Sequence, residues 1–261
     1  MIAAMSELIP GPAGDIEVRT TGDGPPVVLI PSLGRGAADF DDLAARLAAA
    51  GYRAIAPEPR GIGGSDGPID GLTMFDLAAD VTAVVSALGA APATLVGHAF
   101  GNRVARMTAT EHPQLVESLV LLACGGAVPP APEHAAALRL VFEMNVPDDE
   151  HLAAVDTAFF APGNDASVWT DGWYGDVALA QGKATNSLDP DHWLDAGSAE
   201  VLVVQPLDDV VALPANATFI LDRIGDRASL VEIADAGHAL LPEQPDGVAA
   251  AVLGWLRDRG R

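Results

Sequence analysis

The chain has 261 residues, 49% hydrophobic and 19% charged, which suits one domain with a large core and an insertion and excludes a disordered or fibrous chain. Its formal net charge of −22 repels phosphate backbones and anionic headgroups, arguing against nucleic acid or membrane as partner, and is read as solubility or salt adaptation. No apolar run reaches the roughly 20 residues that cross a bilayer. The N-terminal residues lack the basic start and long apolar stretch of a secretory signal, and the single Cys124 can form no internal disulfide, so a cytoplasmic location is expected.

The first clear element is the β-branched run 27–30, stopped by Pro31 and followed by a loop through Gly36. Phe40, Leu43, Leu47 and Ala50 then repeat at helical intervals, with Asp39 or Asp41 as the expected N-cap and Gly51 closing the end. A strand over 52–56 leads into the loop Pro57 to Ser65, and a helix over 74–88 follows. The strand 93–96 runs through Gly97-His98-Ala99-Phe100-Gly101 directly into a helix over 102–111, and 119–123 is a further strand. Between Gly125 and Ala199 the alternation stops, and helices are predicted over 133–144, 149–160 and 169–183. It resumes with a strand over 200–204, a helix near 216–224, a strand over 229–233 and a closing helix over 245–257. Alternating strands and helices predict an α/β fold: a mostly parallel sheet covered on both faces, built from 1–126 and 199–261, with 127–198 as a helical cap inserted in the core. No internal repeat or low-complexity tract interrupts this order.

A strand, a Gly-x-Ala-x-Gly turn and a helix in immediate succession form the strongest motif in the chain. Small residues at Gly97 and Gly101 let strand and helix pass closely, the residue at the tip is held in a strained conformation, and the following helix aims its positive end there. With this turn, the loop after the first strand, the Arg60-Gly61-Ile62-Gly63-Gly64-Ser65 turn and a late acid and histidine in order, the chain resembles the α/β-hydrolase family over nearly its whole length. The resemblance implies a nucleophile seat at Ala99, a general base at His238 and an orienting acid at Asp208 or Asp209, of which family spacing favours Asp209. It also implies an oxyanion hole formed by the backbone N–H groups of Phe100 and Leu33, although Pro31-Ser32 stands where the family commonly has His-Gly.

Alanine has no nucleophilic atom, so the family's acyl-enzyme route cannot run through residue 99 as written. Ala99 is either a replaced serine or a native residue. If native, His238 and Asp209 remain able to act as a general base on water or on an acidic substrate proton. Ser32 is a weaker candidate for a displaced nucleophile. His98 is read chiefly as packing behind the turn, and Cys124 as a buried small side chain. Acid pairs such as Asp41-Asp42 and Asp148-Asp149 open predicted helices, where the dipole accounts for them. No metal site and no cofactor is expected.

The aromatic residues Phe142, Trp169, Trp173 and Tyr174 fall in the predicted insertion. Most are expected to pack it internally, and some to roof the crevice. With Ser32 and His98 they make up the expected substrate lining, suited to a small-molecule substrate of apolar character. The leading expectation is a hydrolase of a small carboxylic ester, lactone or related carbonyl compound. The alternatives are a catalytically silent ligand-binding homologue and a His-Asp enzyme of the lyase or cofactor-free oxygenase type. The oligomeric state is left open.

Overall fold

The computed structural model describes residues 5–143 and 145–259; Met144, the end of a predicted helix, lies outside them, as do four of the N-terminal residues read above for a signal. The elements in chain order are β1 (Met5–Pro10), β2 (Asp15–Thr21), β3 (Pro26–Ile30), α1 (Asp41–Ala49), β4 (Arg53–Pro57), α2 (Met74–Ala87), β5 (Ala93–His98), α3 (Phe100–Glu111) and β6 (Val116–Leu122). Then come α4 (Pro132–Val141), α5 (Asp148–Phe159), α6 (Gly175–Asn186), β7 (Glu200–Pro206), α7 (Pro214–Ile224), β8 (Ala228–Ile233), α8 (Leu240–Glu243) and α9 (Pro245–Asp258).

The eight strands form one sheet in the order β1-β2-β4-β3-β5-β6-β7-β8. Pairs from β4 through β8 are parallel, and only the β1–β2 and β2–β4 pairs are antiparallel. The central strands are apolar on both faces because both faces are covered. In β3, Val28 and Ile30 join the layer under α2, α3 and α7, with Val84, Val104 and Ile220. Val27 and Leu29 point the other way, into the layer under α1 and α9, with Leu47, Val252 and Leu256. A one-residue slip in any of these strands would exchange the two layers.

From β3 the chain moves first to β4 on one side and later to β5 on the other. This reversal opens a crevice at the carboxyl ends of β3 and β5, where open α/β sheets bind ligands. The loop after β3 and the turn after β5 both end there.

Several sequence expectations are corrected. The edge strands β1 and β2 were not foreseen. The residues of α1 are helical as predicted, but neither Asp39 nor Asp41 caps it: the N-cap is Phe40, at the end of a 3-10 turn over Ala37–Phe40, with no side-chain cap bond. Asp39 instead pairs with Arg35 at 2.6 Å, and Asp41 with Arg19 at 2.8 Å. The helix predicted over 169–183 is replaced by a 3-10 turn at Ala166–Trp169 and the separate helix α6. Gly172, at φ 86, sits in the left-handed region that interrupts a right-handed helix. Among the described residues no helix is long and apolar enough to cross a membrane.

Candidate active site

Ala99 caps α3 at φ 48 and ψ −107, a backbone conformation that L-residues seldom adopt. The turn is held by Ala99 N–H donating to Leu122 O at 2.9 Å and Asn102 N–H donating to Ala99 O at 3.2 Å. Its flanking glycines are sterically required. A Cβ on Gly97 would stand 2.5 Å from Asn102 N, and one on Gly101 would stand 2.1 Å from Ile30 O and 2.6 Å from Pro31 O. Close passage of α3 over the end of β3 therefore brings the turn against the first loop.

Opposite this turn lies His238, on the loop between β8 and α8. Its Nδ1 is 2.9 Å from Asp209 Oδ2. Asp209 follows β7 and its side chain is fully buried. The other carboxylate oxygen, Oδ1, accepts from the N–H groups of Val211 at 2.8 Å and Ala212 at 2.7 Å. An ionised carboxylate with three donors is satisfied in place, and it requires the His238 proton to reside on Nδ1, leaving the Nε2 lone pair free. Of the two acids left open by sequence, Asp209 pairs with the histidine, while Asp208 is exposed.

The loop carrying His238 is pinned from several sides. Glu243 accepts from Gly237 N–H at 2.8 Å with one carboxylate oxygen. With the other it accepts from Ala161 N–H at 2.7 Å and Asn164 Nδ2 at 2.6 Å. Burial pushes the Glu243 carboxyl above its usual range, against the lowering effect of these bonds. Phe159 stacks on the His238 ring with centroids 5.3 Å apart. From behind, His98 contacts His238 through its Nε2, 2.8 Å from the His238 carbonyl. A carbonyl can only accept, so Nε2 carries the proton. The buried Nδ1 of His98 has no partner, and burial, with His238 nearby, holds the His98 pKa down at about 3.

Ala99 and His238 share the wall of a cavity of about 900 Å³ with Ser32, Leu33 and Phe100. Among the described residues the N–H groups of Leu33 and Phe100 find no acceptor within the chain. Gly34, in the first loop, donates to Gln181 Oε1 of α6 at 2.9 Å, and its carbonyl accepts from Tyr174 N–H at 2.9 Å. The first loop is thus fixed by α6 and the residue before it as well as by the sheet.

Of the residues predicted to contact substrate, Ser32 and Phe142 line the cavity, whereas His98, Trp169, Trp173 and Tyr174 do not. Buried Trp169 and partly buried Trp173 flank the Arg35 guanidinium, at 4.5 and 4.4 Å from their ring centroids. Arg35 also bonds Asp39 and the Asp171 carbonyl, so these tryptophans tie the segment between α5 and α6 to the loop after β3. Tyr174 is exposed. His98 is fully buried behind the turn, in the packing position its sequence context suggested. Cys124 is free and fully buried, with its Sγ 3.7 Å from Asn102 Oδ1. Sequence reasoning did not single out Phe159, Glu243, Gln181 or Arg103. Only Phe159 carried a signal, as one aromatic among several in the insertion.

A family model described as the alpha/beta hydrolase fold matches residues 25–171, more than half of the chain. The chain belongs to the α/β-hydrolase family. A relative in Mycobacterium tuberculosis that bears the provisional name non-heme bromoperoxidase BpoC is 30% identical over 260 residues, covering 89% of this chain and 94% of that protein. Among solved structures, a thermophilic esterase from Thermogutta terrifontis is 25% identical at a TM-score of 0.79, covering 98% of this chain and 99% of its own. An esterase from Exiguobacterium antarcticum aligns at a TM-score of 0.83 with 20% identity, covering 97% of this hydrolase-family chain and 100% of its own, a likeness of fold.

Proposed function

We propose that the chain hydrolyses a small, largely apolar carboxylic ester, lactone or related carbonyl compound, and that His238 activates water directly because residue 99 offers no nucleophile. The observation that carries this reading is the His238–Asp209 bond of 2.9 Å beside a cavity that Ala99 also lines. In the proposed step His238 Nε2 removes a proton from water as its oxygen bonds to the substrate carbonyl carbon. The carbonyl electron pair moves to oxygen, where the N–H groups of Leu33 and Phe100 stabilise it. Collapse breaks the carbon–oxygen bond to the leaving group, which takes the proton back from His238.

The helices of 127–198 act in this reading as the cap: Leu138, Phe142 and Phe159 supply an apolar, water-poor wall. Stacked Phe159 shields one face of the imidazole, so the base meets water only from the cavity.

The test is hydrolysis of p-nitrophenyl acetate and butyrate and of short lactones by the chain as it stands. His238→Ala should lower kcat/KM by about 10²- to 10⁴-fold, the range of general-base assistance. Turnover unchanged in His238→Ala overturns the mechanism. Absence of turnover for every ester and lactone, with apolar ligands still bound, favours the second reading that Ala99 supports, a binding protein of the same fold.

A further inference from the structure

Arg103 lies in the first turn of α3 and lines the same cavity as Ala99 and His238. It is half-buried, and among the described residues it has no carboxylate, carbonyl or aromatic partner. That is unusual in a chain with 36 acidic and 14 basic residues. The buried Arg35 and Arg60 are paired with Asp39 at 2.6 Å and Asp80 at 2.8 Å. Arg106, one turn further along α3, bonds Asn102 Oδ1 at 2.8 Å and stacks on Trp193 at 4.6 Å.

The surroundings of Arg103 add positive potential. The first turn of α3 contains no acidic residue, so the helix dipole and the guanidinium have the same sign there. Burial and the nearby Arg106 both press the Arg103 pKa down; Cys124 opposes them, and no carboxylate is among the causes. Beside the guanidinium stands Gly126, also on the cavity wall; a Cβ there would lie 3.4 Å from Arg103 Nη2, so residue 126 puts no side chain over the group. Of the other charged residues on the wall, Arg139 and Glu143 are exposed and offset each other.

We infer that Arg103 is a docking residue for a carboxylate: the substrate carries an anionic carboxylate at one end and its reacting carbonyl at the other, with an apolar stem between. This narrows the substrate class of the hydrolytic reading above and rests on it for the position of the carbonyl. A planar guanidinium presents paired N–H donors that match a carboxylate bidentately, and pairing removes the cost of a desolvated lone cation. Leu33, Phe100 and Phe142 on the same wall suit the stem.

Binding separates this inference from catalysis. The probes are 4-phenylbutyrate and its neutral isostere 4-phenylbutyramide, titrated calorimetrically against the intact chain at pH 7.5 and low salt. The acid should bind about tenfold or more tightly than the amide, and added salt should narrow the gap. Arg103→Gln should level the two ligands, and Arg103→Lys should restore part of the preference. Equal binding of acid and amide by the unaltered chain overturns the inference, as does a preference that survives in Arg103→Gln. The ratio in the unaltered chain needs no variant to fold. It is also independent of turnover: loss of ester hydrolysis in His238→Ala leaves it untouched, and a chain that hydrolyses nothing can still show it.

Discussion

Asp209→Asn should lower kcat by about 10³- to 10⁴-fold while leaving the protein folded and KM little changed. The direction follows from hydrogen-bond bookkeeping at one carboxylate. Oδ1 accepts from two backbone N–H groups, so in the variant that position must remain the amide oxygen. The amide nitrogen then faces His238 Nδ1 and donates to it. His238 is driven to the opposite tautomer, with its proton on Nε2, and the lone pair that faced the cavity is lost. Shape and packing persist, so thermal unfolding should change far less than the rate. Steady-state kinetics on the best ester, with circular dichroism as the control, checks this; a loss below tenfold would show that the acid does not set the tautomer.

His98 produces the second large effect, on stability rather than rate. Its folded pKa is depressed from 6.5 to about 3, chiefly by burial and next by His238, with Arg35 adding to the lowering and Asp209 opposing it. A group whose pKa falls on folding binds protons more weakly in the native state. Its contribution is therefore fully present above the unfolded value and is lost as pH falls from about 6.5 toward 3, at ~1.4 kcal/mol per pH unit. His98→Gln keeps a donor for the His238 carbonyl and removes the titration. Denaturant unfolding of both proteins should show the advantage of His98 over Gln shrinking by about 2 kcal/mol between pH 6.5 and 5. Parallel stability curves would contradict it. Because the comparison is a difference, acid effects shared by the carboxylates cancel.

What was legible in the sequence was local. The bend at Ala99 is written in Gly97 and Gly101, since the clashes a Cβ would make there are with backbone a few residues away or at the end of the adjoining strand. Chain order located the acid and the histidine, and the spacing implied by the family resemblance favoured Asp209, but the residues themselves do not show which of two adjacent aspartates turns inward. That depends on the Asp208 N–H donating to Ala236 O at 3.0 Å, a contact between two loops distant in sequence. The β1–β2 hairpin escaped notice because β1 is exposed at five of six positions, although Ile16 and Val18 alternate inward in β2.

The tryptophans were misplaced for a different reason. Trp169, Trp173 and Val177 fall four apart, the spacing of one helix face. In the folded chain that spacing is broken by Gly172, the two rings meet edge to face, and Arg35 from a remote loop packs against both. Arg103 gave no signal, because a lone arginine on an amphipathic helix reads as a solvated face until the missing partner is visible.

Introducing the absent hydroxyl measures whether the bend and the imidazole converge. Ala99→Ser should gain covalent labelling by a fluorophosphonate, at residue 99 and lost again in Ala99→Ser/His238→Ala, while the unaltered chain stays unlabelled. A serine at position 99 that remains inert to the reagent in a folded protein, or labels equally well without His238, would contradict the account.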